Sequence, residues 1–295
     1  MKIDLHIHST CSDGRMPLED IFETARQRDI GIISIADHDT IECQENANAR
    51  ARHYGMRYLF GLELNVSFSH PAYKNGKPIS LDFLGYQYDV HNRTLGRKLL
   101  DLRVYRKKRA EQILKNINEE LVKAGLETFT PDDMKEVQNS ADGTLGRPHL
   151  AAYLVNKGIV KDKQEAFDRY LVKCNVPKMP LTLPEASDLV KGAGGKLILA
   201  HPNHPRGTSL LSLTASLREQ QEIIEQTMLP YLDGIECWHS SHDKETTVSY
   251  LVFSKRHGLI VTGGSDCHQN PVIMGTLDIP PYVAEQFDLP DAVPR

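Results

Sequence analysis

Lys2-Ile3-Asp4-Leu5-His6-Ile7-His8 opens the chain as a short apolar strand that finishes on two imidazoles. Alternate residues of a strand share a face, so His6 and His8 point the same way, with Asp4 behind them. Working outward, Pro17 to Asp29 carries Ile21, Phe22 and Ala25 at helical spacing, with Pro17 suited to a first turn. Ile30 to Ala36 is a second expected strand, Ile41 to Tyr54 a second helix, Tyr58 to Val66 a third strand and Ile79 to Tyr86 a fourth. From Arg97 to about Leu183 the periodicity is helical. It includes Leu99 to Ala124, a start at Thr130-Pro131, Leu150 to Lys157 after Pro148, and Ala166 to Val172. After a helix at Pro184–Lys191, strands return at Lys196–Ala200, Gly234–Trp238 and Leu259–Thr262, with a helix at Leu217–Met228 between the first two and another between the last two. Seven strands alternating with helices give an α/β class, a parallel barrel or sheet, with residues 97–183 as an inserted helical subdomain.

The totals exclude several classes. The chain has 295 residues, 40% of them hydrophobic, enough for one large domain with an insertion. The formal net charge of -4 gives no global pull toward polyanions. No run of about 18 apolar residues is present, so no membrane span is expected, and a soluble cytoplasmic protein follows by default. The five cysteines, Cys11, Cys43, Cys174, Cys237 and Cys267, are odd in number and widely spaced. They predict neither a disulfide framework nor a zinc knuckle.

In folds of this kind the active site lies at the carboxyl ends of the strands. There the chain sets His6 and His8 with Asp13, then Asp37-His38-Asp39, Glu63, Asp82, His201 with His204, His239 with His242, and Asp266-Cys267-His268. Neutral imidazoles and carboxylates are the usual ligands of zinc, manganese and iron. Carboxylates placed among histidines can bridge two ions, and a hydroxide formed between such ions suits attack on phosphorus. Isolated histidines are more often hydrogen-bonded core or surface residues, and His53, His70, His91 and His257 are read that way. Cys267, between two candidate ligands, is expected on the opposite, apolar face. Asp37 and Asp4 are expected to orient imidazoles from behind.

Asp4-Leu5-His6-Ile7-His8-Ser9 with Asp13-Gly14, Ala36-Asp37-His38-Asp39-Thr40, Gly61-Leu62-Glu63, Ala200-His201-Pro202 and Gly264-Ser265-Asp266-Cys267-His268 occur in this order. Together they resemble the polymerase and histidinol phosphatase (PHP) family, in its stand-alone nucleotide phosphoesterase branch. The resemblance implies a distorted (β/α)7 barrel, formed by residues 1–96 and 184–295, with the insertion 97–183 covering the active site. It implies two or three divalent metal ions (Mn, Fe or Zn) held by His6, His8, Asp13, His38, Glu63, His201, Asp266 and His268. The family often has a His-x-Leu-Gly pattern in the fourth strand. Here it reads Asp82-Phe83-Leu84-Gly85, so Asp82 is the ligand that departs from the pattern. A Gly-Arg-Pro-His element is implied for the insertion and is present as Gly146-Arg147-Pro148-His149.

Arg147 and His149 flank a helix start, which favours an anion, and a guanidinium grips phosphate with two bonds, so a phosphate role is expected for Arg147 in preference to pairing with an acid at the domain junction. His204 and His242 can bind phosphate, protonate a leaving oxygen or ligate a metal, and neither they nor His239 can be assigned one role from sequence. Lys98, Arg103, Arg106, Lys107, Lys108 and Arg109 form a basic stretch, read first as a solvated helix face and second as a contact for nucleic-acid backbone. The expected activity is hydrolysis, by metal-hydroxide attack, of a nucleotide phosphate ester such as a nucleoside 3',5'-bisphosphate, or of a 5'-phosphorylated oligonucleotide end. The partners are then small phosphorylated substrates or short RNA or DNA ends, with no membrane. Histidinol-phosphate phosphatase and a metal-dependent amidohydrolase are the alternatives. A non-catalytic polymerase module fits less well, because the ligand set is nearly intact and no polymerase domain is attached.

Overall fold

A computed structural model describes residues 1–139, 146–177, 179–205 and 208–290. The chain divides into two compact units, Met1–Arg97 with Pro180–Arg295, and Lys98–Met179. The expected helical stretch at 97–183 contains residues 140–145 and 178, which lie outside the described set.

Among the described residues the first unit holds eight strands: β1 (Lys2–Ile7), β2 (Ile30–Ile35), β3 (Arg57–Tyr58), β4 (Gly61–Phe68), β5 (Ile79–Tyr86), β6 (Lys196–Leu199), β7 (Gly234–His239) and β8 (Ile260–Gly264). They form a three-stranded parallel sheet, β1-β2-β3, and a five-stranded sheet, β4-β5-β6-β7-β8. Isolated parallel bridges join the sheets at two places, Ile7 to Cys267 and His38 to Glu63. Two expectations are corrected. The run from Tyr58 to Val66 is two strands. In addition, β5 is antiparallel to both β4 and β6, with no α-helix between β4 and β5. A hairpin pairs residues that are close in sequence, and neither Asn65 nor Asp82 advertises strand direction in its own neighbourhood.

Helices pack against the strands for legible reasons. In α1 (Leu18–Gln27), Leu18, Ile21, Phe22 and Ala25 are buried at one-face spacing, and Glu19 and Asp20 sit in the first turn, where the helix dipole favours them. They meet Ile7, Ile33, Ile35, Ala47 and Ala51 of β1, β2 and α2 (Gln44–His53). Each fully buried side chain of this size is worth about 1.5–3 kcal/mol. Cys267 lies in the same cluster, the apolar face expected for it. Capping side chains set α7 (Leu183–Gly192) and α9 (Lys244–His257): Thr182 accepts from the Glu185 N–H and Asp243 from the Thr246 N–H. One cysteine expectation fails. Cys11, in the loop after β1, and Cys43, at the start of α2, are joined as a disulfide with Cα atoms 6.4 Å apart. A separation of 32 residues carries no local signal of that meeting.

The second unit is helical as expected, with a core of Ile113, Leu114, Ile117 and Leu121 from α3 (Arg93–Lys123) against Leu150, Ala151 and Leu154 of α5 (Arg147–Asn156). Among the described residues no helix is long and apolar enough to cross a membrane.

Candidate metal centre

The carboxyl ends of β1, β2, β6, β7 and β8, the start of β4 (Glu63) and the middle of β5 (Asp82) bring the predicted residues together. His6, His8 and Glu63 form a floor with side chains 0–1% exposed, while Asp13, His38 and His268 sit higher, at 22–35%. Glu63 Oε2 is 2.9 Å from His38 Nδ1, 3.3 Å from His8 Nε2 and 3.6 Å from His6 Nε2. Asp266 Oδ1 is 3.1 Å from His8 Nε2 and 3.5 Å from both His6 Nε2 and His268 Nδ1. Three ring nitrogens around one carboxylate oxygen exceed what its lone pairs can accept as good hydrogen bonds. His8 Nε2 and His6 Nε2 also face each other at 3.2 Å. Such convergence of lone pairs is what a bound cation requires.

Among the described residues, three groups satisfy ligand spacing: His8, Asp13, His38 and His268; His6, His8 and Asp266; and Glu63, Asp82 and His201. The first two share His8. Asp82 therefore stands with Glu63 and His201, held by a 2.6 Å hydrogen bond from Asn65 Nδ2. A metal fits this donor set by a further sign. Among the described residues, the buried atoms His8 Nδ1 and His201 Nδ1 have no hydrogen-bond partner, an expensive condition unless something else binds them.

The backbone bends to aim these groups. Asp39, His201 and Asp266 all have positive φ, at 48°, 24° and 53°, a conformation costing about 1–3 kcal/mol that clusters at functional sites. Asp266 and His268 lie in the loop after β8 and not in a strand, and the loop brings Asp266 Oδ1 within 3.5 Å of His268 Nδ1. Gly14 and Gly264 permit the close approaches. A Cβ on Gly14 would lie 2.5 Å from the His8 carbonyl oxygen, and one on Gly264 would lie 2.7 Å from His6 Cα.

The supporting carboxylates differ from expectation. Asp37 does not orient an imidazole; it accepts from Ser9 N–H (2.8 Å), Ser9 Oγ (2.6 Å) and Ser12 Oγ (2.5 Å), pinning the loop that carries Asp13. Asp4 accepts from the Ser265 and Gly275 N–H groups at 2.9 and 2.8 Å, tying β1 to the chain after β8. The residue that faces the His6 ring is Glu236 on β7, with Oε1 3.0 Å from His6 Nδ1. Sequence reasoning missed it; its only signal is its alternation with Trp238 and Cys237 in an apolar strand.

Charge balance follows burial and neighbours. Burial and the adjacent His268 push His8 down to about 4. Burial also opposes charge on His38, but Glu63 and Asp13 outweigh it and carry His38 up to about 10. In the same way, against burial, Glu63 raises His201 to about 9 and Asp13 raises His268 to about 9. Burial raises Asp82 to about 6.

Of the second-rank residues, His204 and His239 lie beside His201, with ring centroids 5.5 and 5.2 Å from it. His239 Nδ1 accepts the Ser241 N–H at 3.1 Å, so in the neutral ring the proton sits on Nε2, 3.6 Å from Asp266 Oδ2. His242 donates Nδ1–H to the Cys237 carbonyl at 3.0 Å, which leaves its buried Nε2 as an acceptor. Arg147 and His149 lie in the other unit. Arg147 is stacked over Phe167 at 5.5 Å, and among the described residues no carboxylate pairs with it. His149 Nδ1 accepts the Gly146 N–H at 3.1 Å, capping α5. Arg109 donates to Val176 O and Asn175 Oδ1, so this member of the basic stretch is structural. His91 and His257 stay outside the site, near Glu45 and Glu225.

Residues 4–172 match the PHP domain. A 3',5'-nucleoside bisphosphate phosphatase of Chromobacterium violaceum is 28% identical over 90% of this chain and 87% of the relative. A 5'-3' exoribonuclease of Haemophilus influenzae is 30% identical over 68% of this chain and 69% of the relative. Among solved structures, a protein of Bifidobacterium adolescentis classed as a metal-dependent phosphoesterase is 27% identical with TM-score 0.76, covering 96% of this chain and 94% of that one. An amidohydrolase of Chromobacterium violaceum, solved with sulfate and without metal, is 26% identical with TM-score 0.73, covering 95% and 93%.

Proposed function

The chain belongs to the PHP domain family, and on that premise we propose that it is a metal-dependent phosphoesterase acting on a nucleotide phosphate ester. A nucleoside 3',5'-bisphosphate is the first substrate, and a 5'-phosphorylated oligonucleotide end the second. The observation that carries this reading is the linkage of the three ligand groups, two through His8 and the third through Glu63, whose Oε2 reaches His6, His8 and His38. The proposed ligands are His6, His8, Asp13, His38, Glu63, Asp82, His201, Asp266 and His268, for two or three ions of Mn, Fe or Zn. Such ions, when bound, acidify a water and neutralise charge developing on a phosphoryl oxygen.

The chain's own residues do the rest. Glu63 and Asp266 hold the rings of His6 and His8 in a fixed fan. His239, with the proton of its neutral ring on Nε2, is a buried donor beside Asp266, and His242 presents an acceptor nitrogen near it. His204 is proposed beside them for phosphate. Arg147 and His149 are assigned to substrate phosphate; Arg147 has a charge unmatched by any carboxylate among the described residues. The proposal keeps residues 1–96 and 184–295 as a distorted (β/α)7 barrel and 97–183 as an insertion that supplies substrate contacts, in the cytoplasm, where the Cys11–Cys43 pair would face a reducing pool.

The test is phosphate release from nucleoside 3',5'-bisphosphates, 5'-phosphorylated RNA and histidinol phosphate, with amide substrates alongside. Preference for the nucleotide substrates is expected. Arg147→Ala should raise KM about tenfold or more, the scale of a lost charge-assisted hydrogen bond. Turnover of amides without phosphate release would move the chain to the amidohydrolase reading that one structural relative carries by name.

A further inference from the structure

We propose that Glu236 is a positioning residue that couples two of the metal positions, so that occupancy of one favours occupancy of the other. The proposal rests on the metal reading above and concerns what lies behind the ligands. Glu236 is on β7, fully buried, and belongs to none of the three ligand groups. Its two oxygens have separate tasks. Oε1 is 3.0 Å from His6 Nδ1, and Oε2 accepts the His201 N–H at 2.8 Å. His6 stands with His8 and Asp266; His201 stands with Glu63 and Asp82. One carboxylate therefore touches a member of each of these two groups.

The chemistry at His6 is a matter of tautomer. An ionised carboxylate can only accept, so it holds the His6 proton on Nδ1 and leaves the Nε2 lone pair for a cation. The task at His201 is conformational. Its φ of 24° is unfavourable, and the bond from its N–H to Glu236 offsets that cost. Charge drawn from the His6 ring by a cation strengthens the bond to Oε1 and fixes the carboxylate. A fixed carboxylate holds the His201 backbone in its bent form, which keeps that ring beside Glu63, with Nε2 3.1 Å from Oε1. The reverse path works equally, as any thermodynamic coupling must.

Glu236→Gln breaks this in either amide orientation. An NH2 toward His6 donates to Nδ1 and moves the ring proton to Nε2, where a cation should bind. An NH2 toward His201 sets a donor against its N–H. Glu236→Asp keeps the charge but is one methylene short of spanning both partners.

The experiment is calorimetric titration of metal-free protein with Mn2+, with bound metal measured after gel filtration and unfolding followed with and without Mn2+. Wild type should bind at least two ions with positive cooperativity. In Glu236→Gln, affinity at the coupled positions should fall 10–100-fold, the usual scale for outer-shell partners. Cooperativity should be lost, and the metal-free variant should still unfold cooperatively. Glu236→Asp should fall between the two. Wild-type affinities and cooperativity in Glu236→Gln would overturn the coupling. If both variants fail to fold, the wild-type titration decides: independent, non-cooperative sites overturn the proposal. A wild type that binds no Mn2+, Zn2+ or Fe2+ would instead sink the metal reading on which it rests.

Discussion

His38, His201 and His268 hold protons where cations are proposed to bind. In the metal-free protein His38 titrates at about 10 and the other two at about 9, so all three are charged at pH 7. A metal needs the neutral ring, so binding must displace these protons. The sign is fixed: raised values mean that affinity grows as pH rises toward 9–10 and falls below it, roughly tenfold per pH unit for each proton displaced. His8, lowered to about 4, is already neutral and adds nothing to this slope. Mn2+ titrations in buffers of different ionisation enthalpy should show proton release at pH 7; an affinity flat from pH 6 to 9 would contradict the assignment. His6, His8 and the later motifs were legible because a strand period of two, followed by a carboxylate or imidazole, is a local pattern. Glu236 was not, because its partners His6 and His201 are 230 and 35 residues away and it occupies an otherwise apolar strand.

At the scale of elements, β8 must press against β1 for Asp266 to reach His8. Gly264 makes this possible, since any side chain there would meet the His6 backbone and Cβ. Gly264→Ala should therefore destabilise the fold by about 1–3 kcal/mol, the usual cost of overpacking. It should also weaken metal binding; chemical denaturation with and without Mn2+ measures both, and a variant as stable as wild type would mean the strands can part without loss. Helices were the readable elements, because Thr182, Asp243 and the Leu18–Ala25 face announce themselves within one or two turns. Strand direction was not readable. The antiparallel placement of β5 depends on which edge receives it, and Asp82 is paired opposite Asn65 only once that choice is made. The Cys11–Cys43 pairing was hidden for the same reason, being set by where the β1 loop and α2 meet.

At the scale of the molecule, motifs from both ends of the chain form one centre: His6 and Asp266, 260 positions apart in number, meet within 3.5 Å. The intervening helical unit, Lys98–Met179, has its own core and folds its own cluster around Leu150 and Leu154. The candidate ligand groups lie wholly in the other unit, so damage to the helical core should leave metal binding intact. Leu154→Ala in the helical core should cost about 2–5 kcal/mol in the stability of that unit. Mn2+ stoichiometry should be unchanged, as metal analysis would report. The fan of histidines and carboxylates is the feature that would make this chain a metal-dependent phosphoesterase. Its most direct test is phosphate release from a nucleoside 3',5'-bisphosphate by protein stripped with chelator and then resupplied with Mn2+, beside a His8→Ala variant treated identically. Activity should vanish on stripping, return with Mn2+ in wild type, and stay at least 100-fold lower in the variant, the scale of about 2.7 kcal/mol of lost transition-state stabilisation. Full turnover by stripped protein, or by His8→Ala, would contradict the account.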